Sequence, residues 1–182
     1  MKSTAGKFLV ANPNMKTNLF SKSVIYVIDH DLDGASGFII NKSSSHTVSD
    51  VAMSCGYHFT EFPQNVFVGG PVNRHAAFLL HSDEWYSETT SQVGKRLAIT
   101  SDTTMFEKLC MGNEPARWKL CIGMCGWAPE QLDWELEGTN RPYPSWVVCD
   151  AHPDLIYSTD DNDKIWEQCL ETASKQWVDE YF

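Results

Sequence analysis

The chain lacks a long apolar run. No stretch approaches the roughly 18–20 residues of a membrane-spanning helix, so no membrane partner is expected. Positive charge is scarce: 14 Lys and Arg stand against 24 Asp and Glu, a formal net charge of −10. Duplex DNA is held mainly by Lys and Arg displacing counterions, so this balance argues against a general phosphate-binding surface. No helix-turn-helix or comparable reading module is present, and no direct sequence-specific nucleic-acid partner is expected. Internal repeats, low-complexity tracts and linkers are missing too, which suits one domain over residues 1–182. The apolar segment Phe8-Leu9-Val10-Ala11 is too short for the ~7–15-residue core of a signal peptide, and the expected compartment is the cytoplasm. No nucleophile elbow occurs either, since Gly34-Ala-Ser-Gly37 is one residue short of that motif.

Six cysteines are present, at positions 55, 110, 121, 125, 149 and 169. They sit mostly inside apolar runs of a chain read as intracellular, so buried free thiols are expected rather than disulfides. One arrangement has metal-ligand character: Cys121-x3-Cys125 followed by Cys149-x2-His152, four soft ligands in two pairs. Cys121 and Cys125 lie in a strand-like run, however, which puts them about 13 Å apart along one face unless Gly123 or Gly126 bends it. No metal and no cofactor are therefore expected.

Apolar periodicity predicts strands over Phe8–Ala11, Ser23–His30, Ser36–Lys42, Asn65–Gly70, Ala76–His81, Arg96–Thr100, Trp118–Gly126 and Ser145–Cys149. Asp31-Leu-Asp-Gly34 closes a hairpin between the second and third. His30 is expected at the surface of that turn. Residues 82–96 read as polar and turn-like. Helices are predicted after Thr47 or Ser49, after Ser101 or Asp102, and from Pro129 to Gly138. The last helix starts near residues 160–163, with a stripe of Ile165, Trp166, Cys169, Leu170, Ala173 and Trp177. Strands come first and helices intersperse later, which is the order of an α+β fold with a mostly antiparallel sheet.

Several ordered stretches resemble the AlgH-like (YqgE-like) family of small bacterial proteins. They are Phe20-Ser-Lys-Ser-Val-Ile-Tyr-Val27 with His30, Gly34-Ala-Ser-Gly-Phe-Ile-Ile-Asn-Lys42, Gly69-Gly-Pro-Val72 and Phe78-Leu-Leu-His-Ser82. Leu97-Ala-Ile-Thr-Ser101, Gly126-Trp127 with Gln131-Leu132 and Glu135, and His152-Pro-Asp-Leu-Ile-Tyr157 follow. The resemblance implies a strongly bent sheet approaching a pseudo-barrel, flanked by helices. It also implies a label, regulator of alginate production or transcriptional regulator, without an agreed biochemical activity. Where the family carries two further glycines, this chain has Ala128 and Glu130.

Two functional readings follow. The first is a non-enzymatic regulatory protein that binds a protein or small-molecule partner without reading DNA. The second is a small-molecule or nucleotide-binding enzyme whose pocket is framed by Asn41, Gly69, Gly70, Pro71, His81, Gly126, Trp127 and Gln131. Most of these residues also have a structural explanation: Asn41 and the Gly-Gly-Pro as turn residues, His81 as a hydrogen-bonded core residue, Trp127 as core packing. Lys95, Arg96, Arg117 and Lys119, with Arg74, do not cluster in sequence, and only folding could gather them.

Overall fold

The structure is a computed structural model that describes residues 2–16, 19–58, 62–139, 142–160 and 162–181, with side chains described up to residue 176. In chain order the strands are β1 (Lys7–Ala11), β2 (Val24–Asp31), β3 (Gly34–Ile39), β4 (Ser43–Thr47), β5 (Asn65–Val68), β6 (Val72–Ser82), β7 (Ser91–Gly94), β8 (Leu97–Thr100), β9 (Trp118–Trp127) and β10 (Trp146–Asp150). The helices are α1 (Val48–Ser54), α2 (Thr104–Cys110), α3 (Gln131–Glu137), α4 (Pro153–Tyr157) and α5 (Asn162–Tyr181).

The fold is α+β. Its ten strands form one curled, half-barrel sheet in the order β10-β1-β2-β3-β9-β6-β8-β7, with β4 and β5 attached beside β9. All pairings are antiparallel except β5 with β9. Both faces of the central strands are covered, which explains their near-continuous apolar runs. Phe8, Val10, Val24 and Tyr26 point into one cluster with Ile156 of α4 and Ile165, Cys169 and Ala173 of α5. Leu9, Ala11, Ile25 and Val27 point to the other face, against Leu132 of α3. A third cluster joins α1 and α2 to the far end of β6 and β9. The α5 stripe packs as its period requires, but the side chain of Trp177 lies outside the described residues.

Strand β9 is the hub. One edge pairs with β6 over Trp118–Met124, and the other pairs first with β5 and then with β3. The strand changes partner at Gly123, whose φ of +72° resets the side-chain alternation. Cys121 therefore enters the first cluster and Cys125 the second, so the expectation that both share a face does not hold.

Several elements differ from the expected ones. Strands β4 and β7 and helix α4 lie outside the elements expected from sequence: the two strands are short and carry little apolar pattern, and α4 spans only five residues. Helix α1 takes Thr47 rather than Ser49 as its cap, in a reciprocal box with Asp50. Helix α3 begins at Gln131, so Pro129 lies in the turn before it, and Glu130 there adopts φ +62°. That left-handed conformation favours glycine, the residue the family pattern carries at this place. His30 is buried, not superficial: Nδ1 meets the Thr4 hydroxyl at 2.9 Å and Nε2 faces the Asp133 carboxylate at 3.6 Å.

Candidate functional site

Of the framing residues expected from sequence, the stretch 69–71 runs beside residues 124–126 of β9, while Asn41, His81 and Gln131 are held in separate hydrogen-bond networks. Asn41 is fully buried, accepting from the Val24 N–H at 2.8 Å and donating to the carbonyls of Lys22 and Asn162. It ties the start of α5 to β2. Gly69 sits in the fork where β5 and β3 part on β9. Its N–H donates to Ile122 O, its carbonyl accepts from Ile39 N–H, and a Cβ there would run into the Gly123 carbonyl. Gly70 and Pro71 reach a groove of about 640 Å³ beside Arg74 and His75.

His81 is fully buried and hydrogen-bonded at both ring nitrogens, to Ser82 O and Thr100 Oγ1, each at 2.9 Å. Nδ1–H is the donor to the carbonyl, so Nε2 accepts from the threonine. Burial lowers the pKa of this imidazole and favours the neutral form.

Gly126 is exposed on β9, while Trp127 and Gln131 belong to a knot around Glu135. That carboxylate accepts from the indoles of Trp127 at 3.1 Å and Trp146 at 2.7 Å, and from the Gln131 amide at 3.1 Å. The knot fastens α3 across β9 and β10, which accounts for the Trp, Gln and Glu of that signature stretch. The candidate metal ligands are likewise apart. Cys121 and Cys125 enter different clusters, Cys149 packs in the first cluster with Cys169, and His152 caps α4 at the surface through the Asp154 N–H. Among the described residues, no group of three or more His, Cys, Asp or Glu could hold a metal ion.

Folding instead gathers the basic residues that are scattered in sequence. A cavity of about 970 Å³ opens between α4, the β7–β8 hairpin and the start of β9. Lys95 and Arg96 reach it from the hairpin turn and Arg117 from the residue before β9; Leu97, Ile156 and Tyr26 add apolar wall. A second cavity of about 510 Å³ adjoins it and shares Arg117 and Tyr157 as a partition. The Arg117 guanidinium lies 4.7 Å from the Tyr157 ring centre and pairs with Asp154 at 2.8 Å.

Two groups in this region stand out chemically. The Tyr157 hydroxyl is, among the described residues, the one buried side-chain nitrogen or oxygen without a hydrogen-bond partner. Burial pushes its pKa well above the ordinary range, and the groups that act on it, Arg117, Glu84, Tyr26 and Asp83, all line the larger cavity. Lys119, 3% exposed, lines the smaller one. Its ammonium donates to Ile40 O at 2.6 Å and Ser158 O at 2.7 Å and sits 3.9 Å from the Phe67 ring centre. Burial lowers its pKa to about 8. The bond to Ser158 pins the C-terminal end of α4, and hence Tyr157, to the sheet.

Sequence reasoning missed this constellation because Tyr157, Arg117 and the Lys95-Arg96 turn are far apart along the chain. A local signal did exist: Lys-Arg occupies a two-residue hairpin turn where Gly or Asn is the usual choice.

The chain is similar to known proteins along most of its length. The AlgH-like family model matches residues 8–177. A UPF0301 protein of Methylococcus capsulatus is 33% identical over 172 residues, covering 93% of this chain and 91% of that protein. A UPF0301 protein of Ruegeria pomeroyi is 34% identical over 174 residues, covering 91% and 89%. Among solved structures, the AlgH protein from Pseudomonas aeruginosa superposes with a TM-score of 0.76 at 24% identity, covering 93% of this chain and 92% of that one. Protein DIP2367 from Corynebacterium diphtheriae gives 0.70 at 23% identity, covering 92% and 86%. Both structural likenesses concern the fold. By the family match and the identity to its relatives, the chain belongs to the AlgH-like family.

Proposed function

We propose that this protein acts by binding, as a non-enzymatic cytoplasmic regulator, and that it takes a small-molecule ligand in the cavity beside α4. The observation that carries the reading is the buried, unpartnered Tyr157 hydroxyl in a wall that also holds Arg117. A buried hydroxyl without a partner costs about 1–3 kcal/mol, and folds retain such groups where a ligand completes them. The volume, about 970 Å³, lies within the roughly 300–1,000 Å³ of small-molecule sites.

Binding rather than covalent chemistry suits the lining. Tyrosine, arginine, lysine and carboxylate groups surround the cavity, and its serine, Ser82, donates to Glu84 at 2.8 Å instead of to a histidine base. The net charge of −10 supports a role that does not run through direct DNA reading.

A thermal-shift screen against small metabolites tests this. A ligand at a hundred times its Kd stabilises by about 2.7 kcal/mol, and an Arg117→Ala variant should lose most of that shift. Tight, sequence-dependent DNA complexes in a low-salt gel shift, or ligand shifts indifferent to Arg117, would overturn the proposal.

A further inference from the structure

We infer that the cavity beside α4 selects a small organic anion with an apolar body, and that Arg96 is its specificity-determining residue. This rests on the binding reading above and narrows it.

The first support is the local gathering of basic residues. Three of the 14 basic residues, Lys95, Arg96 and Arg117, line this one cavity, against Asp83 and Glu84 of the 24 acids. Among the lining residues this is three against two, and three against three with Asp154, the ion-pair partner of Arg117, in a chain whose overall ratio is 14 to 24. Glu84 is also engaged: its Oε1 accepts from the Ser82 hydroxyl at 2.8 Å and the Ala116 N–H at 2.6 Å. Arg117 has Asp154, but both side chains are largely exposed, at 42% and 69%, and a solvent-exposed pair opens at little cost. Lys95 and Arg96 make no ion pair among the described residues.

The second support is the backbone. Gly94 pairs with Leu97 across β7 and β8, leaving Lys95 and Arg96 as the two turn residues. Arg96 has φ +59°, in the left-handed region that favours Gly or Asn. A long cationic side chain on a strained turn is a cost without a structural return. It makes sense where the guanidinium has work at the cavity mouth.

The third support is the wall beneath. Leu97 and Ile156 are 3% and 4% exposed, and the Tyr26 and Tyr157 rings complete an apolar surface that hydrated inorganic ions would not use. Arginine suits carboxylate or phosphate through paired N–H donors. The anionic end of the ligand faces Arg96 and Arg117, and its body lies along the apolar wall.

The test uses four probes of matched size with amide chemical-shift mapping: benzoate, phenyl phosphate, benzyl alcohol and benzylammonium, with inorganic phosphate as an ionic control. Benzoate or phenyl phosphate should shift Arg96, Leu97 and Ile156, and bind at least tenfold tighter than benzyl alcohol, benzylammonium or inorganic phosphate. Comparing benzoate with phenyl phosphate distinguishes a carboxylate from a phosphate preference. Arg96→Gly, which relieves the turn, should fold at least as well yet weaken the anion at least fivefold, while Arg96→Lys retains part of the affinity. If benzyl alcohol or benzylammonium binds these residues as tightly as the anions, or Arg96→Gly leaves affinity unchanged, the anion inference fails while the binding reading stands. If no probe shifts these residues, both fail.

Discussion

Tyr157→Phe is the most informative single change. It removes one oxygen and keeps the ring that stacks 4.7 Å from the Arg117 guanidinium, so packing in the partition is preserved. The lost oxygen is buried and has no partner, so its removal relieves a desolvation cost of about 1–3 kcal/mol. Taking the low end, the variant is more stable than the parent by about 1 kcal/mol. In a chain of this size that raises Tm by roughly 2–4 °C. The assay is thermal unfolding followed by circular dichroism, with Tyr86→Phe as the control because Tyr86 is 73% exposed and should be neutral. Stabilisation of the free protein should be accompanied by a smaller shift with phenyl phosphate. If Tyr157→Phe leaves Tm unchanged or lowers it, the hydroxyl is already satisfied by cavity water, and the reasoning from an orphaned donor is wrong.

Other expectations follow from the same geometry. Glu135→Ala strips the acceptor from two indoles and an amide, and should cost about 2–4 kcal/mol, with a fall in Tm of roughly 4–16 °C and a red-shifted tryptophan emission. A fall under 1 °C would show that the knot is dispensable. Lys119 gives an unusual pH slope. Its amine has a pKa near 8 when folded and about 10.4 when unfolded, so between those values the unfolded chain holds more protons. Stability from this group therefore rises as pH climbs from about 8 to about 10.4, by at most about 3 kcal/mol. Denaturant unfolding of the parent and Lys119→Met across that window should show the parent gaining on the variant, and parallel curves would contradict it. Cys55 and Cys110 are exposed and the other four thiols buried, with Cys121 and Cys125 pushed up to about 12 by burial, so a thiol reagent should titrate two groups before unfolding and six after.

Much of the sheet was legible because its apolar runs are strong. β2, β3 and β9 announce themselves by β-branched and aromatic residues, and Gly34 marks the hairpin between the first two. Strands β4 and β7 are invisible to periodicity: Ser-Ser-Ser-His-Thr and Ser-Gln-Val-Gly offer little apolar pattern and exist because a neighbour pairs with them. The Gly-Gly-Pro stretch was readable as a backbone constraint. What it serves, the fork on β9, depends on Gly123 more than 50 positions later. Glu135 shows the same limit, since its indole partners belong to two different strands. The cavity beside α4 is the least legible feature. It draws on a hairpin turn, the residue before β9 and a five-residue helix, and only the closing of the sheet brings them together.

The central claim is that the unspent polar chemistry of this fold is concentrated beside α4. A crystal structure of the protein soaked with phenyl phosphate tests it most directly. The phosphate is expected within hydrogen-bond reach of Arg96 and Arg117, with the phenyl ring against the apolar wall that includes Leu97 and Ile156. A phosphate seated instead in the groove beside Pro71 and Arg74, or at Gly126–Gln131, would contradict it.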